Sequence, residues 1–94
     1  MVAFLSQPRP QPLEIRLLPQ EQEGKCTFTG QFVATSNALS HFGQAAVIAA
    51  LLVLQKKVSE GTCLDYLQVF EISGQRLWII DDGPVVTALL PDDY

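Results

Sequence analysis

Ala45-Ala46-Val47-Ile48-Ala49-Ala50-Leu51-Leu52-Val53-Leu54 is the stretch on which the reading of the fold turns. It is the apolar centre of a longer segment, Ser36 to Gly61, that predicts one long helix. Ser36 and Asn37 are good N-cap residues, offering side-chain oxygens to the unpaired amides of a first turn. No proline interrupts Ala38 to Glu60, and the only interior glycine is Gly43. Lys56 and Lys57 fall near the C-terminal end, where the helix dipole favours cations, and Gly61 is a natural left-handed stop. A membrane span needs roughly 20 apolar residues. The run here is about half of that and is flanked by Gln44 and Gln55, so a buried helix is expected rather than an anchor.

Placed at about 100° per residue, the helix divides into faces. Gly43, Ala46, Ala49 and Ala50 cluster with Leu39, Phe42 and Val53, a small-residue face able to lie close against a sheet. Val47, Leu51, Leu54 and Val58 form a bulkier stripe. Ile48 stands between Gln44 and Gln55 on the side expected to be wet, and Leu52 stands beside His41. A helix apolar nearly all round is buried nearly all round. Each large apolar side chain left in water forgoes about 1.5–3 kcal/mol. A second layer is therefore expected over this helix, most economically a copy of itself.

The elements on either side read as strands. Leu13 to Leu18 alternates apolar and polar residues and predicts a first strand; Pro19 to Gly24 is a polar loop. Cys26 to Val33 predicts a second, with Cys26, Phe28 and Phe32 facing the core and Thr27, Thr29 and Gln31 facing out. Gly30 interrupts the apolar row and marks a bulge or a close helix approach. After the helix, Leu64–Ile72, Gln75–Asp81 and Val85–Leu90 predict three strands joined by the turns Ser73-Gly74 and Asp81-Asp82-Gly83-Pro84. Leu77-Trp78-Ile79-Ile80 is apolar on both faces, as in a central strand. The expected fold is α+β in the order β-β-α-β-β-β, a mainly antiparallel sheet of about five strands with one long helix on one face. One helix cannot cover both faces of five strands, which again asks for a second covering element.

A chain of 94 residues that is 48% hydrophobic and 17% charged fits one folded domain. Residues 13–94 form that domain, and residues 1–12, with Pro8, Pro10 and Pro12, form a proline-rich arm. The arm is either a disordered leader or a strap whose Phe4 and Leu5 dock on a neighbouring subunit. The net charge is −4. From Glu60 onward seven acidic residues face Arg76 alone, so the basic patch that nucleic-acid binding requires is missing. The opening Met1-Val2-Ala3-Phe4-Leu5 lacks a basic segment and a long apolar run, so no secretory signal is expected. Cys26 and Cys63 stand far apart outside any CxxC motif. Both are expected as small core hydrophobes in a reducing, cytoplasmic setting.

A helix followed by a three-stranded antiparallel meander resembles the back half of the small metal-independent ribonuclease folds, the barnase-like and RelE-like toxins. Those proteins are typically basic, with Arg, Lys, His or Glu gathered on the sheet. The meander here carries Arg76 alone and is acidic, so the resemblance is one of topology and fixes no function.

Residues able to carry chemistry are few. His41, the single histidine, is expected near the helix N-terminus, where the dipole disfavours its charged form and would leave a neutral general base. Asp81-Asp82 and Asp92-Asp93 suit a divalent cation in type but belong to no EF-hand pattern; turn formation and a solvated tail explain them. No metal and no cofactor are expected. The primary expectation is a non-catalytic interaction or assembly module. It would be homodimeric or bound to another protein through Ile48, Leu51, Leu52, Gln44 and Gln55, with Asp81, Asp82, Asp92 and Asp93 as an acidic face for a partner. No nucleic acid and no membrane are expected as partners. The alternatives are a small hydrolase or nuclease-like enzyme using His41 as base, and a small-ligand sensor with a pocket between Trp78 and the alanine-rich helix face.

Overall fold

A computed structural model describes residues 14–19, 22 and 24–94. The proline-rich arm lies outside the described residues. Five strands and two helices follow one another as β1 (Ile15–Leu17), β2 (Gln31–Ala34), α1 (Ser36–Phe42), α2 (Gln44–Ser59), β3 (Leu67–Ile72), β4 (Gln75–Asp81) and β5 (Val85–Leu89), and a 3-10 turn closes the chain at Pro91–Asp93. They build the expected α+β sheet, with spatial order β1-β3-β4-β5-β2. The three pairs β1–β3, β3–β4 and β4–β5 are antiparallel. β2 returns beside β5 in parallel. A parallel pair needs a long crossover, and the helices together with the β3–β4 hairpin supply it.

The helix expected from Ser36 to Gly61 is two helices. Gly43 takes φ +83° and ψ 154°, a conformation open to glycine alone, and its N–H caps α1 on the Leu39 carbonyl. The two helix axes diverge there by 101°. The N-cap of α1 is Thr35, not Ser36 or Asn37: its hydroxyl accepts the Ala38 N–H at 3.1 Å. No single helix is long and apolar enough to cross a membrane.

Register fixes which side chains face the helices. Ile15, Leu17, Phe70, Ile72, Leu77, Ile79, Val86, Ala88, Phe32 and Ala34 share one face of the sheet. Ala38 of α1 and Val47, Ala50, Leu51 and Leu54 of α2 complete the core over them. Gln68 is the polar exception, fully buried but satisfied by Gln22 and the Asp65 carbonyl at 2.8–3.0 Å. The opposite face carries Arg16, Glu71 and Arg76 in one row, paired at 3.8 Å, and Val69, Trp78 and Leu89 in the next. Among the described residues no helix lies on that face; the Tyr94 ring meets Trp78 edge-on at 5.7 Å.

The second strand is shorter than its alternation implies. Cys26 makes a single bridge with Leu64, and Phe28 then turns left-handed at φ +55° before β2 begins at Gln31. Both polar groups of Phe28 are held: its N–H donates to Asp81 Oδ2 at 3.0 Å, and its carbonyl accepts from Gln55 Nε2 at 2.9 Å. Gly30 does mark a close approach, but to the β4–β5 turn rather than to a helix. A Cβ there would stand 2.5 Å from the Gly83 carbonyl oxygen. Ser73 and Gly74, both at positive φ, make the two-residue turn of the β3–β4 hairpin as expected.

Candidate functional site

α2 has a full inner side and a bare outer side. Ala46, Val47, Ala50, Leu51 and Leu54 point into the core. One turn apart on the outer side, Ile48 is 40% exposed and Leu52 56% exposed. Gln44 is exposed one turn before Ile48. Of the five residues expected at an interface, these three stand outward and two do not. Leu51 keeps only 8% of its surface, because it packs down onto the sheet. Gln55 is turned inward by its hydrogen bond to the Phe28 carbonyl.

Ile48 joins a wider apolar surface. Ile48, Val47 and Gln44 from α2, Leu39 from α1, and Phe32, Val33 and Ala34 from β2 line a groove of about 280 Å³. Leu39 is 40% and Val33 38% exposed. Single apolar side chains on a surface are ordinary; a contiguous patch is not. Neither Leu39 nor Val33 was expected here, because the groove is created by the bend at Gly43, which sets α1 beside the edge of the sheet. One signal of it was present in the sequence. From Cys26 to Gln55 the chain has no Asp, Glu, Lys or Arg, so β2, α1 and three turns of α2 contribute no charged side chain of their own other than His41 when protonated.

The four aspartates expected to form one acidic face do not. Asp81 is buried at the end of β4 and accepts the amides of Phe28 and Gly83, the latter at 2.7 Å. Asp93 lies beyond the other end of β5 and accepts from Thr35 Oγ1 at 2.8 Å, Asn37 Nδ2 at 2.6 Å and the Leu90 amide at 3.0 Å. These bonds, that from Asn37 foremost, hold its carboxyl below the usual aspartate range. Asp82 and Asp92 are the exposed members, again separated by the length of β5. Among the described residues no three His, Cys, Asp or Glu side chains gather as metal ligands.

His41 falls in the last turn of α1, the opposite helix end from the one expected, because the helix stops at Phe42. Its ring packs edge-on against Phe42 at 4.9 Å. It shares a shallow recess of about 210 Å³ with Phe42, Ile72, Ser73 and Gln75, and no hydrogen bond joins His41 to Ser73 among the described residues. Trp78 lies on the sheet face away from both helices, so the pocket expected between it and the alanine-rich helix face does not exist. Cys63 is exposed rather than in the core, because it precedes the Cys26–Leu64 bridge on the outside. Burial, with Asp81 and Asp65 adding to it, pushes the Cys26 thiol up and keeps it protonated.

Compared with protein families, with curated proteins and with solved structures, the chain matches none.

Proposed function

We propose that this protein is a non-catalytic assembly module that associates with a second copy of itself through the outer side of α2. The observation that carries this reading is the exposed apolar pair Ile48 and Leu52, with Ile48 sharing a groove with the exposed Leu39. Covering one large apolar side chain is worth about 1.5–3 kcal/mol. Three such side chains, Leu39, Ile48 and Leu52, meeting their symmetry mates supply the apolar centre that a stable interface needs. A two-fold contact sets one patch against itself, so a patch of a single charge would repel itself and an apolar one does not. The sequence-level role for the four aspartates as a partner face has no support, since Asp81 and Asp93 are committed to internal hydrogen bonds.

The same reading places the protein in a reducing, cytoplasmic setting, supported by the free thiols of Cys26 and Cys63. A His41-based enzyme and a small-ligand sensor at Trp78 gain no observation from the positions of these residues.

The test is a pair of charge substitutions, Ile48→Glu and Leu52→Glu, each compared with the wild type by light scattering. Both positions are exposed, so the folded state should change by no more than about 0.5 kcal/mol. Self-association should weaken on the order of tenfold or more, equal to about 1.4 kcal/mol. An unchanged mass with both glutamates present would refute the α2 interface.

A further inference from the structure

We draw no further inference here: the strongest candidate, the apolar groove of about 490 Å³ that Leu17 of the edge strand β1 forms with Val53, Lys57 and Leu64, carries nothing because no observation in the structure shows what covers it.

Discussion

Thr35 and Asp93 are hydrogen-bonded side chain to side chain at 2.8 Å, which ties the end of the described chain to the start of α1. The Thr35 hydroxyl is used twice, donating to Asp93 and accepting the Ala38 amide. Asn37 and the Leu90 amide complete the ring around the same carboxylate. Loss of an N-cap hydroxyl costs about 0.5–2 kcal/mol. Thr35→Ala should therefore lower stability within that range in chemical denaturation, with Asn37→Ala less damaging because Asn37 is exposed. An unchanged midpoint for Thr35→Ala would show that the ring does not hold α1.

The same carboxylate sets a pH dependence. Asp93 is held below its usual range in the folded protein, chiefly by Asn37, then by Thr35 and Leu90. A depressed folded value means that the contribution is complete above the unfolded value, about 3.9. It fades as the pH falls through the folded value. The stability difference between wild type and Asp93→Asn should thus be constant from pH 7 to about pH 5 and shrink below about pH 4. A difference that persists unchanged into strong acid would mean that the charge of Asp93 plays no part.

Asp81 and Gln55 together clamp Phe28, whose left-handed backbone lies wholly inside the core. Removing the carboxylate leaves a buried amide without a partner, at a cost of about 1–3 kcal/mol. Asp81→Ala should destabilise by that amount, and Gln55→Ala by less, since the carbonyl it leaves is the more tolerant group. Denaturant midpoints of the two variants check the order.

Gly43 separates the helices in a conformation that an L side chain adopts only at a cost of about 1–3 kcal/mol. A Cβ there would touch nothing, so the expected loss on Gly43→Ala comes from the backbone alone. Thermal melting should show it. Far-ultraviolet circular dichroism should show no gain in helix, because α1 and α2 are held apart by their packing on the sheet. A more helical and more stable variant would mean that the bend is not enforced by the fold.

How much of this was legible in the sequence depends on whether the signal was local. Gln75–Asp81 was readable as a strand to the residue, and Ser73-Gly74 as its hairpin turn, because alternation and turn chemistry act over a few residues. The break at Gly43 was not, since a single glycine is tolerated inside a helix and only the sheet beneath decides whether the chain turns. His41 stands in the last turn of α1 rather than near a helix start for that reason alone. The shortened β2 was hidden because the alternation of Cys26, Phe28 and Phe32 looks like a strand, whereas Asp81 and Gln55, distant in sequence, pull Phe28 out of it. Of the exposed apolar side chains, Ile48 and Leu52 were legible from helical spacing, whereas the place of Leu39 required the bend. Gln68 was invisible for a similar reason: its partners come from the loop before β2 and the segment before β3.

The most direct measurement is the absolute mass of the untagged protein by light scattering, taken across a wide range of concentration and repeated with Leu52→Glu. Self-association through α2 predicts a species of twice the 10.3 kDa chain for the wild type, shifted toward a single chain by the glutamate. A wild type that stays at 10.3 kDa throughout would contradict it.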